Sequence, residues 1–196
     1  MTSKPANWPS RTSDQAGYLE LLVKQYPNGR ASTHLHSLQP GDKLLVVAPI
    51  KGYQWKANSY SHITLIAGGA GITPIYQLAQ GILNDPSDKT AMTLVFGVNS
   101  DEDVLLRDEF AKMETDYPGR FRAVYSVSNP SPTSPYRKGK VTKEFLKDVL
   151  PKLPAGENTK VFLCGPPAME TALAGSQGKE GILQQLGYRK NQIHRF

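Results

Sequence analysis

Two stretches of this chain combine residue types and spacing that suit chemistry on a bound ligand. Residues 63–74 read Ile-Thr-Leu-Ile-Ala-Gly-Gly-Ala-Gly-Ile-Thr-Pro. A short apolar run there ends in three glycines within four positions, and Thr73 and Pro74 follow at once. Glycines at such a corner let the backbone approach a flat ligand or a phosphate with no side chain in the way. Thr73 suits a helix N-cap and Pro74 the first helical position, where a missing N–H costs nothing. The stretch therefore predicts a strand turning sharply into a helix whose N-terminus faces a ligand. An ordinary tight turn is the bland alternative, and the glycine spacing is not that of the usual dinucleotide fingerprint. The second stretch, Cys164-Gly165-Pro166-Pro167, places small residues at another strand end just before a helix.

Other candidate groups read more simply. A lone cysteine at a strand end is usually a small buried residue, so Cys164 is taken to line a site without ionising. His34, His36, His62 and His194 have no carboxylate at ligand spacing, and surface or capping roles fit them better than a metal. The acidic trio Asp101 to Asp103 suits the positive end of a helix.

The elements that must position these corners change style along the chain. The first fifteen residues form a polar lead. Tyr18 to Lys24 and Lys43 to Ala48 read as strands, and Asn28-Gly29 and Pro40-Gly41-Asp42 as turns. Ala31 to Leu38 reads as a short helix capped by Ser32 or Thr33. The change falls near residues 55–62. Beyond it, strands at Ile63–Ala67, Met92–Phe96, Phe121–Val127 and Val161–Cys164 alternate with helices. One helix follows Pro74 with Ile75, Leu78, Ala79, Ile82 and Leu83 on one face. Another, capped by Ser100, carries Leu106, Phe110 and Met113. A third opens at Thr142 with Phe145, Leu146, Val149 and Leu150. A Ser/Pro-rich loop spans Asn129 to Pro135, a last helix covers Gly181 to Leu186, and Ile193 to Phe196 reads as an edge strand. The alternation implies an α/β fold, a doubly wound parallel sheet with ligands at the carboxyl ends of its strands.

Composition narrows the function. The chain has 196 residues, 39% of them hydrophobic, enough for a globular core. One cysteine excludes an internal disulfide framework and a Cys-rich metal site. The formal charge of +6 is scattered, without the basic, aromatic-interleaved run of a nucleic-acid platform. An acidic protein partner is compatible with it. No stretch approaches the apolar length of a membrane span, and the start does not read as a signal peptide.

Taken together, GGAGITP at Gly68–Pro74, DVLLRDEF at Asp103–Phe110, CGPPAM at Cys164–Met169 and the ending GILQQLGYRKNQIHRF resemble the NADH–cytochrome b5 reductases, within the ferredoxin–NADP reductase-like flavoenzymes. Residues 18–42 (YLELLVKQYPNGRASTHLHSLQPGD) resemble the second half of that family's flavin domain. The likeness runs over roughly residues 17–196 and is nearest the fungal mitochondrial branch. It implies a nicotinamide domain over 59–196, preceded by part of an antiparallel β-barrel flavin domain over 17–58 and a disordered lead over 1–16. It also implies cofactor roles for named residues. Gly29, Arg30, Ala31, Ser32 and Thr33 would hold the FAD pyrophosphate, and Lys24 would serve NADH binding. Gly69, Ala70, Gly71 and Pro74 would bring the backbone to the nicotinamide nucleotide. Thr73, beside the flavin's reactive ring nitrogen, and Cys164 would stand at the reacting centre. Gly165, Pro166 and Met169 would border the nicotinamide, and Phe196 would cover part of the site.

The implied reaction passes a hydride from NADH to FAD, then single electrons to a haem protein such as cytochrome b5, with a mitochondrial location at the outer membrane or intermembrane space. Such chemistry asks the protein for positioning and water exclusion, not for a nucleophile. The family's Arg-x-Tyr-Thr flavin segment has no counterpart in residues 7–15, where Arg11-Thr12 is at best a remnant, and no membrane anchor is seen. The expectation is a soluble chain that holds FAD weakly or not at all by itself. Animal members have an acidic residue after the third strand, at the ribose. Ser128 and Asn129 follow Val127 here, and neither repels an added phosphate. A non-catalytic interaction module with a degenerate reductase fold is the rival reading.

Overall fold

The structure, a computed structural model, describes residues 21–45, 52–151 and 158–196. Six strands form one parallel sheet: β1 (His62–Gly68), β2 (Ala91–Val98), β3 (Phe121–Val127), β4 (Arg137–Lys138), β5 (Thr159–Cys164) and β6 (Ile193–Arg195), in the order β4-β3-β2-β1-β5-β6. The expected parallel α/β sheet is present, with β6 as the edge strand. The chain runs from β1 outward through β2 and β3 on one side, then returns to build β5 and β6 on the other. The gap between the ends of β1 and β5 is thus the point where strand order reverses, the usual ligand crevice of such sheets.

Burial on both faces explains the apolar strands. Alternating residues of β1 enter separate cores. Ile63, Leu65 and Ala67 join Leu94, Phe96 and Phe162 in a core covered by α2 (Ile72–Asn84) and α3 (Arg107–Asp116). Ile66 joins Val95, Val161 and Leu163 in the other, covered by α4 (Lys143–Val149), α5 (Pro167–Ala174) and α6 (Ile182–Gln185). The i, i+3, i+4 stripe of α2 is buried at Ile75, Ala79, Ile82 and Leu83, and Leu78 packs half-buried against the same core. Each fully buried side chain of this size contributes roughly 1.5–3 kcal/mol. Thr142 caps α4 as expected, its hydroxyl accepting from Phe145 N at 3.2 Å. Gly187, at φ +96°, stands just beyond α6.

Several local expectations are corrected. Winding after β1 starts early, in a 3-10 turn at Gly69–Gly71, so Gly71 and not Thr73 is the N-cap of α2. Thr73 lies inside the first turn and donates its hydroxyl to Ala70 O at 3.2 Å. Pro74 is the third helical residue, where an unpaired N–H is still normal. Ser100 caps only a 3-10 turn at Asp101–Asp103, in a box with Asp103. Leu106, left-handed at φ 58° and buried, separates that turn from α3. Burial of its side chain outweighs the strain of that conformation. Strand β4 lies beyond the Ser/Pro-rich loop and was not expected.

The amino-terminal part holds α1 (Arg30–Ser37), whose N-cap is Gly29. Ser32 and Thr33 are interior to it and do not cap it. Ser32 Oγ instead accepts from Tyr26 N at 3.2 Å, locking the preceding turn. Leu21–Lys24 and Lys43–Leu45 form no strand. A ladder needs a partner, and neither segment has one among the described residues. Residues 1–16, Tyr18 to Glu20 and Val46 to Ala48 lie outside the described residues.

Candidate functional site

The two small-residue corners are in contact. Strand β1 pairs with β5 in the register Ala67↔Cys164, so both chains leave the sheet side by side at the same rim. A Cβ placed on Gly68 would lie 2.5 Å from Met169 Sδ and 2.8 Å from Pro166 Cδ. One on Gly165 would lie 3.1 Å from the same sulfur and 3.3 Å from Gly68 Cα. A side chain on Gly68 would thus displace Met169 and the Pro166 ring, and one on Gly165 would press on the same sulfur and on the Gly68 backbone. Gly69 differs: it has φ +51° and open space where a side chain would stand, so its backbone faces outward unshielded.

Beside these corners opens a cavity of about 440 Å³ across the ends of β1, β2, β3 and β5. Gly68, Gly69, Pro166 and Met169 form one wall. Gly97, Val98 and Asn99 continue it from β2, Ser126 and Ser128 from β3, and Gly139, Lys140 and Val141 close the far side. The volume and the mix of apolar walls with few polar groups are those of a small-molecule site. The walls fit an extended nucleotide: bare backbone at one end, hydroxyls and an ammonium at the other.

Lys24 and Tyr26 complete the lining from the amino-terminal segment. Lys24 Nζ donates to Asp103 Oδ1 at 2.9 Å, and Ser100 N and Oγ donate to Asp103 Oδ2 at 3.2 and 3.0 Å. Burial pushes Asp103 up, but the bonds from Lys24 and Ser100 outweigh it and hold the carboxyl below its usual range. The pair ties the segment before α1 to the end of β2. His36 Nε2 adds a bond to Val23 O at 2.9 Å.

Of the residues singled out in the sequence, Lys24, Gly69, Pro166 and Met169 line this cavity. Gly165 packs on its wall through Gly68. Ala70, Gly71, Thr73, Pro74 and Cys164 do not line it. They gather at the same corner, where Gly71 packs on the Cys164 carbonyl and Cys164 joins the core beneath α2 and α3. The Cys164 thiol is half-buried, and burial, then the Glu170 carboxylate, push its pKa up. It is a thiol and not a thiolate at neutral pH. Glu170 accepts from Gly165 N at 3.1 Å and so braces the turn.

Gly29, Arg30, Ala31, Ser32 and Thr33 lie outside the cavity, tied to its lining residue Tyr26 by two bonds: Tyr26 N donates to Ser32 Oγ at 3.2 Å and Gly29 N donates to Tyr26 O at 3.0 Å. Phe196 lies outside it too, stacked on Phe162 at 6.0 Å and edge-on to His194 at 5.2 Å. Gly97, Ser126, Gly139 and Lys140 were missed in the sequence. Gly97 carried a signal, since a glycine ending an apolar strand often marks close backbone approach. The others depend on how β4 docks on β3, which no local pattern shows.

Comparison with known proteins agrees with this geometry. The family model described as oxidoreductase NAD-binding domain matches residues 65–174, and that described as oxidoreductase FAD-binding domain matches residues 6–55. A protein named NADH-cytochrome b5 reductase 2 from Emericella nidulans is 50% identical over 96% of this chain and 60% of its own length. Its namesake from Botryotinia fuckeliana is 51% identical over 98% of this chain and 58% of its own length. The chain thus spans about 60% of the length of such relatives. Among solved structures, the cytochrome b5 reductase domain of Ulva prolifera nitrate reductase superposes with a TM-score of 0.76 at 29% identity, covering 86% of this chain and 66% of that one. The CS-b5R domains of human Ncb5or share the fold at 23% identity, with a TM-score of 0.76 over 89% of this chain and 47% of that one. The chain therefore belongs to the NAD-binding oxidoreductase family, with NADH–cytochrome b5 reductases among its relatives.

Proposed function

We propose that this chain is the nicotinamide-binding part of an NADH-dependent flavin oxidoreductase of the cytochrome b5 reductase type. The observation that carries the reading is the abutment of Gly68–Gly71 on Cys164–Met169 at the mouth of the cavity. When bound, NADH supplies a hydride that FAD accepts and releases as single electrons to a haem-protein acceptor of the cytochrome b5 kind. The residues of this chain bind and orient. Bare backbone at Gly69 admits the dinucleotide, and Met169 and Pro166 bound its position. The Ser128 hydroxyl offers a partner to a ribose, while Ser126, buried, donates its own to Gly139 O at 2.7 Å and holds that wall in place. Thr73 and Cys164 stand at the reacting centre as small, uncharged neighbours that keep water out. Residues 59–196 act as the nicotinamide unit and 17–58 as part of the flavin unit, in which Gly29 to Thr33 hold diphosphate. The mitochondrial location carries over from the sequence resemblance alone. Among the described residues no helix is long and apolar enough to cross a membrane.

Flavin content and NADH–ferricyanide turnover of the purified chain test this proposal. Turnover that appears or rises on adding FAD supports it. Stoichiometric flavin in the purified protein would overturn the expectation of weak FAD binding. Absence of any nucleotide binding would overturn the reading and favour an interaction module.

A further inference from the structure

The Ser/Pro-rich loop at residues 129–135 leads from β3 to β4 and does not line the cavity. Of the chain's three Ser/Thr-Pro dipeptides, Thr73-Pro74 is wound into α2, while Ser131-Pro132 and Ser134-Pro135 lie in this loop. Ser131, Pro132, Thr133 and Pro135 are exposed, and Ser134 is half-buried among them. The loop docks on the 3-10 turn at Asp101–Asp103 through one carboxylate. Ser131 N donates to Asp101 Oδ2 at 2.6 Å, and the Ser134 hydroxyl donates to Asp101 Oδ1. Ser134 Oγ in turn accepts from Tyr136 N at 3.2 Å, and Ser134 N donates to Ser131 O at 3.1 Å. The Ser134 hydroxyl, then Ser131 N, holds the Asp101 carboxyl below its usual range, so it is charged at neutral pH.

Proline-directed protein kinases take serine or threonine followed by proline, and charge patterns on the substrate refine their choice. Cyclin-dependent kinases favour a basic residue three positions beyond the acceptor. Only Ser134 meets both conditions: Pro135 follows it, and Arg137 stands at the third position with Lys138 next. The third residue after Ser131 is Ser134, and after Thr73 it is Tyr76. Arg137 is exposed, and its pair with Asp148 at 2.9 Å is a surface one that costs little to break. We propose that Ser134 is a phosphorylation site for a proline-directed kinase, and that its phosphate releases the loop from Asp101. In the transfer, Ser134 Oγ bonds to the γ-phosphorus of ATP, the bond from that phosphorus to the β–γ bridging oxygen breaks, and ADP leaves. The hydroxyl proton passes to a carboxylate of the kinase. The modified oxygen has no proton left to donate, and about −1.5 to −2 charge faces the Asp101 carboxylate. The contact that anchors the loop becomes repulsive. Arg137 and Lys138, on β4, offer the phosphate partners away from the turn. The site is independent of what the cavity binds.

Incubation of the whole chain with a cyclin-dependent kinase and ATP, followed by peptide mass mapping, tests the site. A phosphoryl group on Ser134 is expected, with none there in Ser134→Ala and a strong drop in Pro135→Ala, which keeps the hydroxyl. A synthetic peptide of residues 128–140 reports whether the kinase accepts the sequence itself. The proposal fails if the peptide is not phosphorylated, if the peptide is phosphorylated but the folded chain is not, or if the chain is labelled at Ser131 instead. Hydrogen exchange read by mass spectrometry tests the release. The amides of Ser131, Ser134 and Tyr136 are bonded within the docked loop. In the phosphorylated chain they are expected to exchange roughly tenfold faster, the scale of losing one hydrogen bond to a charged group. In Asp101→Asn, which removes the opposing charge, phosphorylation is expected to change the exchange less. Unchanged exchange in the phosphorylated chain overturns the release, and an equal acceleration in Asp101→Asn overturns Asp101 as the anchor it acts on.

Discussion

Replacing Gly71 by alanine tests whether the two corners really abut. Gly71 has φ −63° and ψ −5°, an ordinary helical conformation, so backbone strain plays no part. A methyl group there would stand 2.8 Å from Gly165 N and 2.5 Å from Cys164 C, with the Cys164 carbonyl oxygen closer still. Carbon contacts settle near 3.5–4.0 Å, so something must move by about 1 Å. The obstructing atoms are backbone at the end of β5, held by the β1–β5 ladder, and cannot rotate aside. Overpacking of this kind costs about 1–3 kcal/mol. Removing a glycine from the unfolded chain returns at most about 1 kcal/mol. Sterics should win, leaving Gly71→Ala roughly 1–2 kcal/mol less stable.

Gly81 supplies the internal control. It lies in the same helix, exposed, with nothing within 4 Å of an added Cβ. Gly81→Ala is therefore expected to stabilise by about 0.5–1 kcal/mol. Urea unfolding of both variants beside wild type, with unchanged slopes, reads the two signs. Thermal midpoints should part in the same sense, about 2–4 °C per kcal/mol for a chain of this size. A Gly71→Ala midpoint at or above wild type would refute the reasoning, because no true abutment could absorb that methyl at no cost.

Other outcomes follow from particular residues. Asp88 is fully buried and accepts from Trp55 Nε1 at 2.8 Å, Asn58 N at 3.3 Å, and Thr90 N and Oγ1 at 2.9 and 2.6 Å. Burial raises its pKa, but the Thr90 and Trp55 bonds prevail and hold it low. Its contribution is present above the unfolded carboxylate range, near pH 4, and disappears as pH falls through the lower folded value. Asp88→Asn should cost about 1–3 kcal/mol at pH 7 in urea titrations, with a smaller deficit in acid; an equal deficit at both would refute this. The Cys164 thiol should react with a disulfide reagent more slowly than free cysteine at pH 8, gaining speed as pH rises, since its pKa is raised. Fast labelling at neutral pH would contradict the half-buried, charge-repelled thiol. Met169→Ala removes the sulfur that packs on Gly68 and Gly165 and should weaken adenosine 5′-monophosphate binding several-fold, on the order of 1 kcal/mol, by calorimetry.

Local chemistry was enough for the sequence by itself to determine much of this protein. The apolar stripe of α2, the Thr142 cap, the four central strands and the two glycine-bearing corners all depend on neighbours within a few residues. Where one short-range signal competes with another, the local pattern misleads. Thr73 looked like a cap because the 3-10 turn at Gly69–Gly71 hides behind glycines. The Leu106 break hides inside a run of helix formers, because only the core beneath makes a left-handed leucine worthwhile. The tertiary structure alone decided that β5 returns to lie beside β1, which sets Gly71 against Cys164. It alone carried Lys140 across from β4 to face Ser128, and Lys24 to Asp103. Those meetings join residues far apart in the chain, and hydrogen-bonded ladders and buried faces on both sides of the sheet hold them, so no window of sequence contains them.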